Sequence, residues 1–148
     1  MFLFMFFGML FIHVFVMPWV MIASPSDYRI SPNLIYGGVF MATCMVALEG
    51  LRHPIGLLGW IAVAALLTIS TLCIRWQIGV SDDGFLRDMI PHHSMAVLTS
   101  RVRVARSTNP VVREFARQIL QTQTEEISVM KRALGKTLGT SNNLRFYS

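Results

Sequence analysis

His92 and His93 are adjacent, Met89 stands four residues before His93, and Gln123, Glu126 and Met130 recur farther along at spacings of three and four. Those are the spacings at which side chains share one face of a helix. Imidazole and thioether favour copper, Cu(I) above all, whereas imidazole with carboxylate suits zinc, iron or Cu(II). A di-iron centre of the bundle type requires Glu-x-x-His on facing helices. Here Val129 lies three residues after Glu126 and Ser128 three after Glu125, so that pattern is absent. A copper ion is the expected cofactor. The plainer reading of one His and one Glu on converging apolar faces is a hydrogen bond closed inside a helical hairpin. Both answer the same need, because a buried polar group left unpaired costs several kcal/mol.

A second set of soft ligands lies in the N-terminal half. Met5, Met9, His13, Met17 and Met21 recur every four residues, with Met41, Cys44, Met45 and Cys73 farther on. A Cu(I) conduit needs such a stripe, but Met also serves as flexible filler between helices. His13 is the informative member, since an ionisable residue within a membrane span is a functional candidate. Met95, on a helical wheel, falls nearer His92 than the Met89/His93 face.

The elements that would position these groups follow from charge and hydropathy. The 148 residues are 53% hydrophobic and only 14% charged, with a net charge of +5. Residues 1–74 carry Arg29 and Arg52 against Asp27 and Glu49, while residues 75–148 carry eleven Lys/Arg against six Asp/Glu. This asymmetry excludes one soluble globule and indicates a membrane half followed by a polar half. Apolar runs at about 1–22, 34–51 and 55–74 are each long enough to span a bilayer. The first lacks a basic start and is read as a retained span rather than a cleaved signal. The turn-rich stretch before the second holds the Asp27/Arg29 pair, and Glu49 is placed to meet Arg52. Two cysteines inside apolar runs give neither a disulfide framework nor a zinc motif.

After a linker at 75–81, Ser81-Asp82-Asp83 reads as a helix start leading to about Arg106. Asn109-Pro110 then caps and opens a second helix, for which Gly135 is the expected stop before a loose tail at 136–148. Phe85, Met89, Ala96, Val97 and Val104 form the expected buried face of the first helix. Val112, Phe115, Ala116, Ile119, Ile127, Met130 and Leu134 form that of the second. Folding the pair about residues 108 and 109 sets His93 beside Gln123 and Glu126, with Met89 level with Met130. Pro91 removes one hydrogen bond just before the histidines.

The string Phe85-Leu86-Arg87-Asp88-Met89-Ile90-Pro91-His92-His93, followed by Asn-Pro, Val112-Arg113 and Gln123-x-x-Glu126-Ile127-x-x-Met130, resembles the ferritin-like family catalogued as domain of unknown function 305. The resemblance covers about residues 82–135. It implies a helical, extracytoplasmic domain, in some members copper-binding through His and Met, and carries over to Met89, His92, His93, Glu126 and Met130. Many members have a further Met six residues after the His pair, where this chain has Thr99.

The expected architecture is therefore all-α: three transmembrane helices and a two-helix antiparallel hairpin spanning 82–135. A hairpin of about 50 residues is near the lower limit for a self-sufficient core. Ferritin-like bundles use four helices, so a homodimer is expected to supply the other two. The competing arrangement sets the hairpin on its own spans or on another subunit. The expected function is that of a membrane-anchored copper-binding protein for copper handling or tolerance; the alternative is an accessory subunit of a larger membrane complex. A bacterial inner membrane is the expected location, with the resemblance placing the hairpin outside the cytoplasm and the positive-inside count leaning the other way. No GxSxG, P-loop, GxGxxG or HExxH string supports an enzyme. Arg101, Arg103, Arg106, Arg113 and Arg117 lack an accompanying nucleic-acid motif and suit lipid head groups or a solvated face.

Overall fold

The computed structural model describes residues 1–137, and among these every regular element is helical. Three helices are long and apolar enough to cross a membrane: α1 (Phe2–Met21), α2 (Pro32–Gly50) and α3 (Gly56–Arg75). Twenty residues at 1.5 Å each reach about 30 Å, the thickness of a hydrocarbon core. Most of their large apolar side chains face outward, which suits lipid as the surrounding solvent and is consistent with a membrane protein.

One feature of α1 has no counterpart in the hydropathy pattern. Residues Ile12–Val16 form a π turn between α-helical Phe2–Phe11 and Met17–Met21. Pro18 supplies a cause: it has no N–H, and its ring crowds the carbonyl four residues back, that of Val14. That carbonyl accepts a hydrogen bond from the Tyr28 hydroxyl at 3.1 Å. Tyr28 also stacks on Trp19 with ring centroids 5.3 Å apart.

α2 starts with Ser31 accepting from the Leu34 N–H at 3.1 Å and Pro32 in the first turn, where a missing N–H costs nothing. Its Gly37 and Gly38 admit α1 at close range. A Cβ on Gly38 would stand 2.8 Å from Leu10 Cδ1, and one on Gly37 3.2 Å from His13 Nε2. Small residues at a helix crossing are how membrane helices gain contact when lipid gives no hydrophobic drive between them. Near the far end of α2, Glu49 meets His53 at 3.3 Å rather than the expected Arg52.

The hairpin is formed by α4 (Asp82–Arg106) and α5 (Pro110–Thr137). Ser81 caps α4 by accepting from Gly84 N–H at 3.2 Å, with Asp82 and Asp83 at the positive end of the dipole. Asn109 caps α5 by accepting from Val111 N–H at 2.9 Å. Arg113 reaches back to donate to the Ser107 carbonyl at 2.9 Å, tying the turn closed. Pro91 lies within an uninterrupted α4.

Ile90, Val97, Ile127, Met130 and Leu134 make the hairpin core, with Met89, Leu86 and Leu120 packed against it. Val97, Ala116, Ile127, Met130 and Leu134 are buried as expected, and the departures lie at the ends of the stripes. Phe85 and Phe115 are 50% and 63% exposed and Val112 also faces outward, while Ile90 and Ser94 are fully buried. The reason is that α4 has two partners: it packs on α5 and also on α1, α2 and the connection between them, and the face containing Ile90 and Ser94 is buried between these partners. Gly135 does not end α5, which continues to Thr137. One glycine costs about 1 kcal/mol against alanine inside a helix, too little to force a stop. The expected tail at 136–148 lies outside the described residues beyond Thr137.

The hairpin sits at the end of the three N-terminal helices where α1 finishes, α2 begins and α3 finishes. Asp27, buried to 4% exposure, accepts from Ser94 Oγ at 2.6 Å and pairs with Lys131, not with the expected Arg29. Arg29 instead donates to the carbonyls of Ser26 and Tyr28. Asp88 accepts from Ser31 Oγ at 2.7 Å and Asn33 Nδ2 at 3.0 Å, and the Tyr36 hydroxyl donates to the Ile78 carbonyl at 2.9 Å. The hairpin thus docks on the chain's own N-terminal helices.

Candidate metal centre

Four of the expected site residues meet in one cleft between α4 and α5. Met89 and His93 are one turn apart on α4, and Glu126 and Met130 one turn apart on α5, so each pair projects in one direction. Together they line a cavity of about 500 Å³, with Phe85, Thr122, Glu125 and Val129 completing the wall. His93 Nδ1 lies 3.1 Å from Glu126 Oε2. The pair is close but misaligned for a hydrogen bond, and the buried Nδ1 has no hydrogen-bond partner among the described residues. The expected closed His–Glu hydrogen bond is thus not formed, although the distance for it is.

The other expected members go elsewhere. Successive residues on a helix are turned by about 100° from each other, and His92 accordingly points away from the cleft. It lines a different cavity with Met95, His13, Met17 and Met21, its ring centroid 6.1 Å from that of His93. The convergence of five ligands is corrected to four. Gln123 is half-buried but is not part of the cleft wall, where Thr122 and Glu125 take its place. Sequence reasoning passed over both, though Thr122, Glu126 and Val129 share the spacing of one helix face.

The donor set is soft. Among the described residues, no group of three or more His, Cys, Asp and Glu is placed to hold an ion. A cage of hard and borderline ligands alone, as zinc or a di-iron centre would use, is therefore not assembled. The cleft offers one imidazole, two thioethers and one or two carboxylates, a mixed set of soft and hard donor groups.

With the fold and the cleft described, the class is that of an all-helical chain with three apolar helices of membrane-spanning length and a docked helical hairpin. A profile of the family described as Domain of unknown function (DUF305) matches residues 76–143, which takes in the linker and the described hairpin. An uncharacterized protein of Acanthamoeba polyphaga mimivirus is 35% identical over 74 residues, covering 50% of this chain and 49% of that protein. The chain spans about half the length of that curated relative. No solved structure matches the chain.

Proposed function

We propose that the chain is a membrane-anchored copper-binding protein serving copper handling or tolerance, with the ion held in the cleft by Met89, His93, Glu126 and Met130. The observation that carries this reading is His93, in the wall of a cleft with two thioethers and a carboxylate, its buried Nδ1 lying 3.1 Å from Glu126 Oε2 without a hydrogen bond. A buried imidazole nitrogen left unpaired is costly, and an ion shared with Glu126 Oε2 would satisfy both atoms. Copper(I) tolerates low coordination numbers and thioether ligands, which this donor set supplies. The resemblance to the family points the same way. An extracytoplasmic hairpin and a bacterial inner membrane belong to this proposal as well.

The test is Cu(I) affinity of the detergent-purified full chain, measured against a competing chelator. His93→Ala combined with Met130→Leu should weaken binding in the cleft by more than tenfold, the scale on which even indirect supports of a metal site act. Unchanged affinity and stoichiometry, with helicity retained, would remove the cleft as a metal site.

A second reading has an observation of its own. Val112 and Phe115 near the turn, and Val129 with Phe85 beside the cleft, expose two apolar patches on the hairpin, separated by Thr122, Glu125 and Glu126. Patches of this kind outside the membrane suit a protein partner. A second copy would complete a four-helix bundle and close the cleft; another subunit would make the hairpin an accessory module of a larger complex.

A further inference from the structure

Where α1 emerges toward the hairpin, a cavity of about 200 Å³ is bounded by His13, Met17 and Met21 from α1 and by Pro91, His92 and Met95 from α4. Two helices far apart in sequence thus contribute two imidazoles and three thioethers to one space. His13 is half-buried against Gly37 and Gly38, whereas His92 is exposed. Neither imidazole makes a hydrogen bond or ion pair with the described residues, and His92 has only its ring contact with His93.

The two charged groups at the rim are already engaged. Asp88 accepts from Ser31 and Asn33, and Arg29 donates to two backbone carbonyls. The groups left for a ligand are therefore imidazole nitrogen and thioether sulfur. The space is below the roughly 300 Å³ from which organic-ligand pockets start, but it admits an ion. Hard divalent cations want oxygen ligands, and the unengaged groups offer none. Sulfur and imidazole select monovalent copper.

We infer that this cavity is a second Cu(I) site, built from His13, Met17, Met21, His92 and Met95, which joins the first membrane span to the hairpin. It shares no residue with the cleft of Met89, His93, Glu126 and Met130. His13 is eight residues from the end of α1, a depth of about 12 Å at the helical rise, so the ligands run inward from the membrane surface. The four-residue spacing of Met17 and Met21 from His13 keeps all three on one side of the helix. The Tyr28 hydroxyl on the Val14 carbonyl fixes the π turn that carries His13. Adjacent histidines directed into two separate cavities make α4 common to both sites.

The experiment is anaerobic titration of the detergent-purified full chain with Cu(I) in the presence of a chromophoric chelator. Wild type should take up two ions per chain. His13→Leu with Met17→Leu should take up one, and His93→Ala with Met130→Leu should take up the other. If wild type binds one ion that is lost only in the His13/Met17 variant, the inference stands while the cleft reading fails. Retention of wild-type stoichiometry and affinity by the His13/Met17 variant overturns it. Copper X-ray absorption on the His93/Met130 variant, which keeps the His13 region intact, guards against misfolding of the other variant. Mixed sulfur and imidazole ligation is expected there; no bound copper, or oxygen and nitrogen ligation without sulfur, overturns the inference.

Discussion

Asp27 is buried at the seam between the α1–α2 connection and the hairpin, where Ser94 and Lys131 both donate to its carboxylate. Removing it leaves a fully buried hydroxyl without its acceptor and a partly buried ammonium with only the Ser26 hydroxyl. Hydrogen bonds to charged groups are worth about 1.5–3 kcal/mol. Asp27→Ala should therefore loosen the hairpin by about that amount, seen as a lower denaturation midpoint and faster protease cleavage at the 107–109 turn; an unchanged midpoint would show that the seam contributes little. The partnership is invisible in sequence, since Lys131 lies more than a hundred residues from Asp27 and Arg29 stands two away. Met89 with His93 and Glu126 with Met130 were legible because a spacing of four fixes a shared face. His92 was not, because adjacency on a helix separates side chains that look paired in sequence. Gln123 is half-buried on the Ala116, Ile127 and Leu134 side of α5, as its spacing implies, and the cleft is walled instead by the neighbouring, more exposed Thr122 and Glu125.

The apolar spans were legible from hydropathy and the hairpin's helix starts from Ser81 and Asn109 as caps and Pro110 as a first-turn residue, whereas α2 begins at Pro32, two residues before the expected start at 34. The π turn in α1 was not legible, because it answers to Pro18 and to a tyrosine from the following connection. Tyr28→Phe removes the hydroxyl that satisfies the Val14 carbonyl at small cost in volume. A loss of about 1 kcal/mol is expected, with amide exchange accelerated around residues 12–18 and unchanged in α5; uniform exchange throughout would contradict this origin of the turn. Gly135 provides the opposite case. It lies within α5, and a Cβ there would meet nothing within 4 Å. Gly135→Ala should stabilise the end of α5 by about 0.4–1 kcal/mol. A destabilised α5 would show instead that the residue is needed as a breaker.

At the scale of the molecule, the docking contacts use the Ile90/Ser94 side of α4 and leave the Phe85/Phe115 side facing outward. Docking on the spans and pairing with a second copy therefore call on different faces. If a second copy covers the outer face, Phe115→Asp with Val112→Asp should convert a dimer to a monomer by mass measurement in mild detergent. A wild-type chain that is monomeric and still binds copper would leave the patches to another partner. The three-span plan with a helical hairpin was legible because each half has its own composition, while the seam that joins them depends on single polar side chains in a connecting loop. The central claim is that Met89, His93, Glu126 and Met130 hold copper. The most direct measurement is the copper-to-chain ratio of the full chain carrying His13→Leu and Met17→Leu, after equilibrium dialysis with Cu(I), compared with the same chain further changed at His93 and Met130. A ratio near one that falls to near zero with the added substitutions is predicted, with helicity equal in both; a ratio near zero before those substitutions, or one that survives them, would contradict it.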